Sequence, residues 1–129
     1  MSPLILVVDD EPDVEPMFTQ LFRRDLKSGR FTMLFVSSAL EALERLEREP
    51  KPVSLILSDV NMPGMTGLEL LPRVKALRPE LPVIMITAYG DSETRRRAIE
   101  GGAQALLTKP VDFEALRGEI HGRLPNLPS

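Results

Sequence analysis

The chain has 129 residues, a net charge of −3 and no cysteine. That length suits a single domain, which can bury about two-thirds of its unfolded surface and needs no staples. Disulfides and thiolate metal sites are excluded, and with His121 the only histidine so is a histidine-rich metal centre. The mild negative charge supplies no global field for nucleic acid.

The first apolar run, Leu4 to Val8, is short and continuous, as parallel strands covered on both faces are, and it ends at Asp9 and Asp10. Residues 13–27 then place Val14, Met17, Phe18, Leu21, Phe22 and Leu26 at helical spacing. Pro16 falls in the first turn of that helix, where its missing N–H matters least. After the turn signal Ser28-Gly29, residues 31–36 form another candidate strand. Residues 39–48 predict a helix carrying Leu40, Leu43 and Leu46, opened by a Ser38/Glu41 capping box.

The run Val53 to Leu57 leads to Asp59. Residues 67–78 predict a helix with Leu68, Leu71, Val74 and Leu77, capped by Thr66. Pro72 lies inside it and should kink it at a cost of about 3 kcal/mol, unless the helix starts late. The run Val83 to Ile86 ends at Thr87. A helix over 92–100 stops at Gly101-Gly102. A strand over 103–108 ends at Lys109-Pro110, and a last helix over 113–123, capped by Asp112, carries Leu116 and Ile120.

Five β-α repeats predict an α/β fold: a parallel sheet with helices on both faces and right-handed crossovers. Residues 1–124 read as one domain, and 125–129 as a Pro-rich tail or the start of a linker. No run approaches the ~20 apolar residues that span a bilayer. No signal peptide is visible, so a cytoplasmic, membrane-free protein is expected.

In an open parallel sheet the C-terminal strand ends share one rim, where ligands bind. Asp9, Asp10, Asp59, Thr87 and Lys109 would meet there. Each has a plainer reading alone: a capping turn for the aspartates, an ordinary β-branched strand residue for Thr87, a surface lysine for Lys109. Together, three carboxylates, a hydroxyl and an ammonium suit a divalent cation and a phosphoryl group. Close carboxylates repel, so at least one should resist ionisation without metal. Arg95-Arg96-Arg97 reads as a solvated face with Asp91, Glu93 and Glu100 nearby.

The motifs Val7-Val8-Asp9-Asp10-Glu11, Ser58-Asp59 through Gly67, Thr87-Ala88 and Thr108-Lys109-Pro110 occur in order, each at a strand end. In these the chain resembles, from about Leu4 to Arg123, the receiver domain of bacterial two-component response regulators. The resemblance implies a flavodoxin-like (βα)5 sandwich with strand order 2-1-3-4-5. It implies that Asp59 accepts a phosphoryl group from a histidine kinase or phosphotransfer protein. Asp9 and Asp10, with Asp59 and the backbone carbonyl of Asn61, would hold Mg2+, a hard cation that favours oxygen ligands. Lys109 and Thr87 would contact the phosphoryl oxygens.

The family pattern further suggests a cis Lys109–Pro110 bond. It also suggests a switch at the face of the fourth helix, fifth strand and fifth helix, signalling to a downstream effector domain or protein. Such a chain is a signalling switch that takes part in its own phosphorylation and dephosphorylation, with no diffusible product.

Leu106 departs from the pattern, which places an aromatic residue three positions before the lysine; Tyr89 is the candidate substitute. Two other readings compete. A phosphohydrolase would carry a second acid where Asn61 stands, and a phosphorylation-independent binding module would fit Leu106 but not the intact acidic set. No DNA-binding element is visible, and composition leaves a homodimer open.

Overall fold

The computed structural model describes residues 2–49, 52–88 and 90–124. Five parallel strands, β1 (Leu4–Val8), β2 (Thr32–Val36), β3 (Val53–Asp59), β4 (Val83–Thr87) and β5 (Ala105–Thr108), form one sheet. Their order is β2-β1-β3-β4-β5, the flavodoxin-like order implied by the resemblance. β3 and β4 run past their apolar stretches to include Asp59 and Thr87.

Coverage on both faces explains the continuous apolar runs. Along β1, Leu4, Leu6 and Val8 belong to one core cluster while Ile5 and Val7 belong to the other. The first cluster takes in residues of α3 (Ala39–Arg48), α4 (Gly67–Leu77) and α5 (Ser92–Glu100). The second takes in residues of α1 (Val14–Leu21), α2 (Arg23–Ser28) and α6 (Phe113–Arg123). Every residue of β1 and β4 is buried. Each fully buried Leu or Ile contributes about 1.5–3 kcal/mol of transfer free energy.

The single helix expected over 13–27 is two helices, broken at Phe22, whose φ of −101° and ψ of 20° leave the helical basin. Its ring is fully buried, 5.8 Å from Phe18, 5.8 Å from Phe31 and 5.0 Å from Phe113 between centroids. Aromatic packing at these distances favours seating the ring over perfect helical geometry. Both halves keep one apolar face, so the hydrophobic period carries no sign of the break.

The face α3 turns to the core is Ala39, Ala42, Leu43 and Leu46, a helical i, i+3, i+4, i+7 set. Leu40, which the helical spacing groups with Leu43 and Leu46, lies off that face and is 64% exposed. Ser38 Oγ accepts the Glu41 N–H at 3.1 Å, but the Glu41 carboxylate takes the Ser37 N–H, so that capping box is half formed. Thr66 and Glu69 form a complete one. α4 begins there and continues through Pro72 to Leu77 rather than starting late. Pro72 is exposed, opposite the buried Leu70, Leu71 and Val74.

On α5, Arg96 pairs with Glu93 and Glu100, as a solvated face requires. Tyr89 and residues 125–129 lie outside the described residues. Among the described residues no helix is long and apolar enough to cross a membrane.

Candidate functional site

Strand register builds the rim. Val8 pairs with Ser58, so the next residues, Asp9 and Asp59, emerge side by side. That alignment depends on an irregularity: the β1–β3 pairing passes from Leu4↔Val53 to Ile5↔Leu55, and Ser54 is the extra residue. Continued without it, the register would bring Ser58 rather than Asp59 beside Asp9. Across β3 and β4, Asp59 pairs with Ile86, one residue before Thr87. Thr87 pairs with Thr108, and its carbonyl accepts the Lys109 N–H at 2.8 Å. The Lys109–Pro110 bond is cis.

Asp59 is 3% exposed. Its Oδ1 accepts the Asn61 N–H at 3.2 Å, and its Oδ2 faces Lys109 Nζ at 3.3 Å. Asp9 is half-buried and accepts the Glu11 N–H at 2.9 Å. Asp10 is exposed in the turn that follows. One carboxylate oxygen from each of Asp9, Asp10 and Asp59 lies within 4.8 Å of the other two. An all-oxygen, multiply anionic donor set of this kind fits a hard divalent cation.

Burial holds the Asp9 carboxyl above its ordinary value. The Glu11 N–H opposes that effect, and the Asp59 and Asp10 charges add to it. Mutual repulsion, the cause argued from sequence, therefore acts in the right direction, but desolvation leads.

Gly67 lets the start of α4 approach this rim closely. A Cβ there would overlap the Asp59 carbonyl oxygen and lie 2.9 Å from Val60 Cα. Thr87 is fully buried. Its hydroxyl donates to Asn61 Oδ1 at 3.1 Å, and the Ala88 N–H reaches the same oxygen at 3.4 Å. The family resemblance implies a role only for the backbone carbonyl of Asn61. Nothing local signals a side-chain contact spanning 26 residues.

Leu106 is 7% exposed and belongs to the same core cluster as Met85 and Ala98. An apolar groove of about 360 Å³ opens beside Asp9 and Lys109, lined by Val14, Met17, Phe18, Leu21, Val111 and Phe113 among others.

The family model for the response regulator receiver domain matches residues 5–121. The chain is 40% identical over 115 residues to the response regulator protein PilR of Pseudomonas aeruginosa, covering 87% of this chain and 24% of that protein. It thus spans about a quarter of PilR's length. It is 30% identical over 125 residues to sporulation initiation phosphotransferase F of Bacillus subtilis, covering 97% of this chain and 96% of that one.

Among solved structures, a response regulator receiver domain protein (CheY-like) from Methanospirillum hungatei superimposes with a TM-score of 0.83 at 29% identity, over 95% of this chain and 93% of that one. A family match across most of the chain, on a sheet of the same order and with the acidic rim in place, makes this protein a member of the response regulator receiver domain family.

Proposed function

We propose that Asp59 is the phosphoacceptor of a two-component signalling switch comprising residues 1–124. The observation that carries this is the Asp59 carboxylate itself. It is buried at the strand rim, faced by Lys109 and flanked by Asp9 and Asp10, in a chain of the receiver family.

In the reaction, an Asp59 carboxylate oxygen attacks the phosphorus of a phosphohistidine. The new P–O bond forms as the P–N bond breaks, and the departing imidazole takes up a proton. Lys109 supplies positive charge to the phosphoryl oxygens, and Thr87 donates its hydroxyl to one of them. Asp9, Asp10, Asp59 and the Asn61 backbone carbonyl would hold Mg2+, which when bound neutralises developing charge on the phosphoryl group.

The phosphate donor is a sensor histidine kinase or phosphotransfer protein in the cytoplasm. The groove beside Asp9 and Lys109 supports docking there, since Met17 at 49% and Leu21 at 42% leave apolar surface open to a partner. The output is a rearranged face of α5, β5 and α6, read by an effector domain or protein or by a second copy of the chain. Leu106 is already buried, so no aromatic side chain turns inward from position 106, and this switch is driven from Thr87 and Ala88. Gain of one phosphoryl group from a small acyl phosphate in the presence of Mg2+, read by mass, tests the reading.

A further inference from the structure

Asn61 is exposed, yet its side chain is engaged with the β4–α5 turn. Oδ1 accepts the Thr87 hydroxyl at 3.1 Å and the Ala88 N–H at 3.4 Å. A backbone N–H can only donate, which fixes the amide with its carbonyl oxygen toward the turn. The Asn61 N–H meanwhile donates to Asp59 Oδ1 at 3.2 Å. One residue therefore bridges the carboxylate at the rim, the last residue of β4 and the first residue of the turn leading to α5.

We propose that the Asn61 side-chain carbonyl is a resting-state stand-in for a phosphoryl oxygen. It occupies donors on Thr87 and Ala88 that a phosphoryl group on Asp59 would use, and phosphorylation displaces it. This rests on the reading of Asp59 and Thr87 above and adds a control to it.

A charged phosphoryl oxygen is the stronger acceptor, so the exchange runs forward once Asp59 is modified. The released amide is already near water and loses little. The neutral carbonyl still sets a threshold, because occupancy of Asp59 counts only the difference between the old and new acceptors. With two ordinary, rather long hydrogen bonds at stake, removing the amide should ease that occupancy about three- to tenfold. Asn61 is thus a positioning residue, acting through Thr87 and Ala88 rather than on the reacting atoms.

The test is a beryllofluoride titration in saturating Mg2+, read on the Ala88 and Gly90 amide resonances. Beryllofluoride mimics a phosphoryl group on a carboxylate. The Asn61→Ala variant should reach its midpoint at about three- to tenfold less beryllofluoride than wild type. Its Ala88 amide should be displaced from the wild-type position before any ligand is added. Asn61→Ser, whose short side chain cannot span the same gap, should behave alike and guards against a local effect of alanine. With Thr87→Val present, the effect of Asn61→Ala should shrink below about twofold, because a shared partner has gone. An unchanged or raised midpoint in both Asn61 variants, with wild type responding, overturns the stand-in alone. A wild-type protein that does not respond at all overturns the phosphoacceptor reading, and the stand-in with it.

Discussion

Lys109 Nζ lies 3.3 Å from Asp59 Oδ2, bringing a lysine that is 36% exposed onto a carboxylate that is 3% exposed. The pair spans 50 residues and joins the ends of β3 and β5, one on either side of β4. The cation offsets the cost of burying Asp59 while leaving its oxygens within reach of a cation or phosphoryl group. Lys109→Met should cut the rate of phosphoryl gain by about 10²-fold, the loss typical of one preorganised charge-stabilising donor. Divalent-ion affinity should hold or rise, since a competing cation is gone. Parallel labelling time courses and Mg2+ titrations check both halves.

A second buried carboxylate ties α2 to α6 within one helix layer. Asp25 on α2 is 3% exposed and accepts from Arg117 Nε at 3.2 Å, Arg117 Nη2 at 3.1 Å and Arg30 Nη1 at 3.4 Å. Hydrogen bonding to Asp25 pushes the Arg117 guanidinium above its usual value. Asp25→Ala should cost about 2 kcal/mol in urea unfolding. That is below the 3–5 kcal/mol of a fully buried pair, because the two arginines stay about one-third exposed.

Two glycine substitutions should move stability in opposite directions. Gly67→Ala places a methyl group on the Asp59 carbonyl, so it should destabilise the fold and weaken divalent binding together. Gly118 lies inside α6 with nothing within 4 Å of a would-be Cβ. Gly118→Ala should therefore stabilise by about 0.5–1 kcal/mol through helix propensity alone. Melting curves of the two variants separate these effects.

The strand-end residues were legible because parallel strands covered on both faces read as unbroken apolar runs, and each run stops at a polar side chain. That pattern located Asp9, Asp59, Thr87 and Lys109. The break at Phe22 was not legible, because both halves share an apolar face and the cause is a ring seated among three other phenylalanines. Leu40 misled because the smaller Ala39 and Ala42 set the face of α3. The register irregularity at Ser54 and the Asn61–Thr87 contact depend on the assembled sheet and leave no local trace.

Acid should weaken cation binding earlier than an unperturbed aspartate would predict. The raised Asp9 value means the fold favours its protonated form. The sign follows: without metal, that contribution is present below the ordinary value of 3.8 and is lost as pH rises through the raised one. A bound cation needs the carboxylate, so it competes with the proton. Mg2+ affinity should be flat near neutrality and fall to half its neutral value while the pH is still above 3.8. Titrations at stepped pH check this; a half-fall at or below pH 3.8 contradicts it.

Intact mass after incubation with Mg2+ and acetyl phosphate tests the central claim most directly, beside an Asp59→Asn variant and a sample stripped of divalent ions. The predicted result is a gain of one phosphoryl group in the wild type with Mg2+, and in neither control. An unmodified wild type, under conditions that label a known receiver domain, would contradict the assignment of Asp59 as phosphoacceptor.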